Sequence, residues 1–203
     1  MTGAAEIFLR AMFVDNMPLT LFLGLCTFLA LSRSTGSALG LGVAVTFVMG
    51  VTVPINHLIH SAFLAPGALA WAGLPELDLS YLALVVFIGV IAAVVQLLEM
   101  IFERFWPRLH ASFGVFLPLL TVQCAILAGS LFMVERRLGF TDSVAFGLGS
   151  GAGYGLAVVM LGALRRRLAY ADLPDGLRGL GIAFILAGLM SLGFSAFAQM
   201  VAA

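Results

Sequence analysis

Six stretches of this chain are predominantly apolar for more than twenty residues at a time, at about 6–31, 37–64, 79–103, 112–134, 143–164 and 177–201. An α-helix rises 1.5 Å per residue, so about 20 residues cross the roughly 30 Å hydrocarbon core of a bilayer. All six stretches are long enough. The connections between them are short and rich in Arg, Gly and Pro, too small to fold as separate soluble domains.

Composition points the same way. Hydrophobic residues make up 62% of the 203 positions and charged residues only 10%, whereas a water-soluble surface needs about a quarter charged. A soluble catalytic domain is excluded, and membrane lipid becomes the principal solvent. Ten basic residues, all Arg, balance ten acidic ones, so no net field attracts nucleic acid. The first stretch is expected to stay in the mature protein, because it contains Arg10 and Asp15, lacks a small-residue cleavage site and precedes five further spans.

Short loops rich in Arg stay cytoplasmic. Arg33, Arg104, Arg108, Arg165, Arg166, Arg167 and Arg178 fall on one side of a six-span chain, and Arg10, Arg136 and Arg137 on the other. Seven against three places the 1–2, 3–4 and 5–6 loops in the cytoplasm and both termini outside.

The two halves follow one script. Met17-Pro18-Leu19, Cys26 and Gly40-Leu41-Gly42 appear in that order in the first, and Leu117-Pro118-Leu119, Cys124 and Gly147-Leu148-Gly149 in the second. Three spans per half is an odd number, so the second half enters the membrane from the opposite face. Asp15-Asn16 before Pro18, and Gly114 before Pro118, are helix-breaking. Such breaks survive in a membrane only against protein or a water-filled cavity, and simple proline kinks are the competing reading. The expected fold is an all-α integral membrane protein with six transmembrane helices in two inverted three-helix repeats. It forms one membrane domain, 1–105 and 106–203, with broken half-helices in spans 1 and 4.

Cys26 and Cys124 are the residues in these spans with redox or soft-metal chemistry. They lie 98 positions apart (124 minus 26) without a CxxC or a nearby His, so spacing alone carries no zinc or haem signature. A free Cys is often a small buried hydrophobe; what argues against that here is their matching position after each break. A site built on them alone would be under-ligated, since iron or an iron–sulfur cluster takes about four thiolates, and two more must come from a partner. Glu99 lies inside the third span, one turn before Glu103, and fits either a cation-attracting carboxylate at the cytoplasmic entrance of an ion path or an interfacial residue that reaches the headgroups or pairs with Arg. Asp15 and Asn16 suit a half-helix cap better than an outer cavity. His57 and His60 stand one turn apart without further ligands, and Arg165-Arg166-Arg167 reads as a topology anchor.

The strings Phe22-Leu-Gly-Leu-Cys26-Thr-Phe-Leu-Ala, Val53-Pro-Ile-Asn56, Val95-Gln-Leu-Leu-Glu99-Met, Phe116-Leu-Pro-Leu-Leu-Thr-Val-Gln-Cys124-Ala and Gly176-Leu-Arg-Gly-Leu-Gly-Ile182 resemble a known family across essentially the whole chain. It is the family of membrane subunits shared by the bacterial sodium-translocating NADH:quinone oxidoreductase and the Rnf complex. Asp15-Asn16-Met17, Thr27 and Val53-Pro54-Ile55-Asn56 look like the branch formed by the E subunits of the sodium pump more than the branch formed by the A subunits of Rnf. The resemblance implies an inner-membrane protein paired with a similar D subunit of opposite orientation, alongside the A, B, C and F subunits. Each of the pair would offer two cysteines, here Cys26 and Cys124, to an iron or 2Fe-2S centre in mid-membrane. That centre would relay electrons from an NADH- and flavin-bearing subunit to a membrane flavin subunit, coupled to sodium export, with no NADH bound by this chain. Gln123 departs from the Asn that the family tends to carry before the second cysteine, which leaves any fixed hydrogen bond from that position open. A small inverted-repeat transporter and a purely structural subunit with inert cysteines are the alternative classes.

Overall fold

The structure is a computed structural model and describes residues 3–32, 34–64, 82–105, 120–168 and 179–202. Every regular element is helical. In chain order they are α1 (Ala4–Phe13), α2 (Met17–Thr20), α3 (Leu25–Leu31), α4 (Thr35–Ile59) continued by one π-helical turn (His60–Leu64), α5 (Ala83–Phe105), α6 (Cys124–Glu135), α7 (Phe140–Leu168) and α8 (Leu180–Ala202).

Among the described residues, four helices are long and apolar enough to cross a membrane: Thr35–Leu64, Ala83–Ile101, Phe140–Leu168 and Leu180–Met200. They correspond to the second, third, fifth and sixth apolar stretches. The first stretch is divided into α1, α2 and α3. Its first break falls where Asp15-Asn16 precedes Pro18, as the sequence suggests, and a second, unanticipated break runs through Phe22 (φ 55) and Gly24 (φ 77). In the fourth stretch, α6 has 12 residues, roughly 18 Å of helix and too little to span alone. The expected break at Gly114 and Pro118 lies outside the described residues.

Two compact units form within the chain. One comprises 1–47 and 148–203, the other 48–147, so each draws on both halves of the sequence. In the first unit, α8 packs on α2 and α3, and α7 meets α4 and α1 through glycine. A Cβ on Gly155 would lie 3.1 Å from the Cα of Gly42, and one on Gly151 would lie 2.5 Å from the Cα of Thr46. On another side of α7, Cβ atoms at Gly149 and Gly153 would meet the carbonyl oxygens of Phe8 and Met12 at 2.5 and 2.6 Å. Lipid tails are as apolar as Leu, so helices in a bilayer gain little by burying bulk and associate instead where small residues let backbones approach. The alternation Gly147-Leu-Gly149-Ser-Gly151-Ala-Gly153-Tyr-Gly155 supplies two such faces.

In the second unit, α5 packs on α6. Gly129 of α6 lies under the Met49 and Val53 side chains of α4, and Gly147 lies against the Met49 backbone. Asn56 donates to Ser130 Oγ at 2.7 Å.

Candidate thiol sites at two helix breaks

Cys26 is the second residue of α3 and Cys124 the first residue of α6. Both thiols are free and exposed. Each therefore sits in the first turn of a helix that restarts after irregular backbone. Cys26 belongs to the first compact unit and Cys124 to the second.

The break before Cys26 is built in two steps. Asn16 caps α2: its Oδ1 accepts from the Leu19 amide at 3.3 Å. Its Nδ2 donates to the Met12 carbonyl at 3.1 Å and the Gly153 carbonyl at 2.9 Å. Asn16 is fully buried, and its bonds to Leu19 and Gly153 are buried while that to Met12 is part-buried, in a setting where an unmade bond is costly. The preference for a cap over a cavity lining holds for this residue. Asp15 instead faces Arg10 at 4.0 Å, with the Arg side chain 65% exposed, a contact of small energetic value. Past α2 the chain turns through Leu21–Gly24, with the Leu23 amide donating to the Met17 carbonyl at 3.0 Å.

α3 is then fastened at both ends. At its start, Thr27 and Tyr154 meet the Gly24 carbonyl, each at 3.1 Å. At its end, Arg165 Nη1 donates to the Leu29 carbonyl at 2.9 Å and to Ser32 Oγ at 2.8 Å. A cation at the carbonyl end of a helix satisfies free acceptors and complements the dipole. Arg165 thus does more than the topology anchor read from the sequence. Neither this cap nor the role of Tyr154 follows from the sequence reading. A Tyr amid the glycines of α7 is the available signal, because a hydroxyl buried at such a position needs a partner.

Before Cys124 the arrangement differs. Gln123 holds the N-cap position of α6 without capping it. It is 2% exposed, and neither atom of its side-chain amide has a hydrogen-bond partner among the described residues. The fixed hydrogen bond left open for this position in the sequence is not made by Gln123 among the described residues.

Glu99 is half-buried in α5, two residues before Ile101 at the end of the apolar window, with Glu103 and Arg104 exposed beyond it. His57 and His60 diverge. The His57 ring lies edge-on to Phe140 at 6.1 Å, and His60 lies 6.3 Å from the Phe87 ring. No group of three or more His, Cys, Asp or Glu side chains able to hold a metal occurs among the described residues. The donor chemistry available is two exposed, soft thiols. Thiols are the donor type that an iron or iron–sulfur site uses, and two are fewer than the roughly four thiolates such a site takes.

Comparison with known proteins agrees with this architecture. The family model described as "Rnf-Nqr subunit, membrane protein" matches residues 4–201. The E subunit of the Na(+)-translocating NADH-quinone reductase of Nitrosomonas europaea is 57% identical over 197 residues, which cover 97% of this chain and 98% of that protein. The corresponding E subunit of Idiomarina loihiensis is 56% identical over the same shares, and that of Hahella chejuensis is 55% identical over 95% of both chains. A match along nearly its whole length, at this identity, means that the chain belongs to the Rnf-Nqr subunit family of membrane proteins.

Proposed function

We propose that the chain takes the place of the E subunit in a bacterial sodium-translocating NADH:quinone reductase, as a multi-pass protein of the inner membrane beside the other subunits of that complex. In this reading it spans the membrane six times in two inverted three-span repeats, and α1–α3 form the broken first span. Cys26 and Cys124 supply two of the thiolates for an iron or 2Fe-2S centre, and a homologous D subunit of opposite orientation supplies the rest. When bound, such a centre provides one-electron redox chemistry between the NADH-oxidising subunit and the membrane flavin subunits.

The chain's own residues do the holding. Two thiols presented outward, each where a helix restarts, reach a partner without disturbing either helix. The glycine contacts of α7 and the cap at Asn16 keep the irregular backbone satisfied inside protein, the condition for such backbone at membrane depth. Glu99, near one end of α5, attracts sodium to the cytoplasmic side of the path. The observation that carries the reading is the placement of two exposed thiols at matching helix starts, in a chain 57% identical to the E subunit of a named sodium pump.

Substitution tests it. In the purified complex, Cys26→Ala and Cys124→Ala should each leave assembly intact, remove the iron signal from elemental analysis and electron paramagnetic resonance, and abolish NADH-driven quinone reduction. Full iron content and activity in either variant would overturn the assignment.

A further inference from the structure

The turn that delivers Cys26 is held from a helix more than a hundred residues away. Gly24 sits in the left-handed region (φ 77), where a side chain would be strained, and its carbonyl is a meeting point. The Phe28 amide donates to it at 3.1 Å, closing the first bond of α3. The hydroxyls of Thr27 and Tyr154 each lie 3.1 Å from the same oxygen, and 2.8 Å from one another. Two hydroxyls carry two protons between them and a carbonyl has two lone pairs. The three oxygen contacts therefore resolve into a relay: one hydroxyl donates to the carbonyl and the other donates to that hydroxyl.

Both side chains are shut away from water, Tyr154 at 0% and Thr27 at 2% exposure. The Cys26 they flank is exposed. Packing alone does not call for the Tyr hydroxyl, since a Phe ring would fill the same volume and keep the edge-on contact with Phe28 at 6.3 Å. What the hydroxyl adds is a bond to the two residues that bracket Leu25 and Cys26. A residue in a sterically unusual turn relaxes unless its surroundings fix it, and at Gly24 that fixing comes from α7. At Cys124 the neighbouring Gln123 side chain gives no such hold among the described residues, its amide group being unpartnered there.

We propose that Tyr154 is a positioning residue for Cys26: through Thr27 and the Gly24 carbonyl, its hydroxyl fixes the turn from which the thiol is offered to the shared iron centre. The second half of that statement rests on the function proposed above. The first half does not, and the two separate in one experiment.

The complex is prepared with Tyr154→Phe, Thr27→Val and Thr27→Ser. Loss of one buried hydrogen bond, about 1 kcal/mol, should raise amide exchange in the peptide covering residues 25–29 about fivefold in Tyr154→Phe and Thr27→Val. Iron retention against a chelator should weaken about tenfold, the lower end for partners of metal ligands, with a changed paramagnetic spectrum. Thr27→Ser keeps the hydroxyl and should restore both readouts. Either single variant leaves the other hydroxyl within reach of the Gly24 carbonyl, so Tyr154→Phe with Thr27→Val, which removes both, should exchange faster than either alone. Unchanged exchange in Tyr154→Phe overturns the proposal. So does faster exchange with unaltered iron retention and spectrum, where Cys26→Ala shows that the iron depends on Cys26. If Cys26→Ala leaves the iron in place, the proposed function fails instead, and exchange alone then decides whether Tyr154 anchors the turn.

Discussion

Glu99 shows how much a single residue's chemistry depends on where its helix ends. An ionised carboxylate within an apolar span is expensive unless it reaches water, a cation or a partner. α5 places it half-buried, with Glu103 and Arg104 exposed just beyond, the setting that the proposed role on a cation path requires. Replacing Glu99 by Gln keeps the shape and removes the charge. The sodium concentration for half-maximal turnover should then rise by about tenfold, the low end of what a focused charge adds to local counter-ion concentration. Sodium-dependent quinone reduction measures it, and an unchanged sodium dependence would remove Glu99 from the path. At this scale the sequence is informative wherever a residue's role is local. Asn16 as a cap follows from its position before Pro18, and the cysteines from their chemistry. Tyr154 and Arg165 are not legible, since their partners Gly24, Thr27, Leu29 and Ser32 lie over a hundred positions away.

Among the elements, α7 carries the strongest constraint. Its glycines at 151 and 155 face α4, while those at 149 and 153 face α1, so one helix packs closely in two directions. A side chain at 151 would meet the Thr46 Cα at 2.5 Å and its backbone nitrogen at 3.3 Å, atoms that cannot swing aside. Gly151→Val should therefore force the helices apart at a cost of about 1–3 kcal/mol, typical of overpacking, and lower the melting temperature in detergent by roughly 2–10 °C. Gly188 in α8 is the control: nothing lies within 4 Å of a Cβ there, and Gly188→Val should melt within a degree or two of the parent. Equal losses at both positions would mean that close approach contributes nothing, since Val forms a helix no worse than Gly does. Gly40-Leu41-Gly42 and Gly147-Leu148-Gly149 stand out in the sequence as marks of a repeat. Their packing role is hidden there, because spacing shows which residues share a helix face but not which helix that face meets. The break at Gly24 escapes for a related reason: a lone Gly in an apolar run is compatible with an unbroken helix.

For the molecule as a whole, hydropathy gives the solvent and the number of apolar stretches, and it says nothing of continuity. An average over twenty residues is the same for one helix as for α1, α2 and α3 in succession. That ambiguity bears directly on topology. If the first stretch crosses the membrane, the chain crosses six times and its ends share a side; if α1–α3 dip in and return, the ends fall on opposite sides. The Arg count does not decide between them, because without a first crossing Arg10 joins the cytoplasmic side and seven against three becomes eight against two. Arg166 and Arg167 close α7 on the side assigned to the cytoplasm, whereas Arg136 lies over the rings of Phe132 and Phe146 at 5.7 and 5.5 Å in the connection between α6 and α7. Stacking on aromatic faces spreads that charge over apolar surface. Six crossings predict that alkaline phosphatase is active when fused at either terminus, and inactive when fused after Arg167. A green fluorescent protein should show the reverse pattern at all three positions. Phosphatase activity at the C-terminus with none at the N-terminus would mean that the broken first stretch does not cross, and the two halves would then no longer be related by inversion.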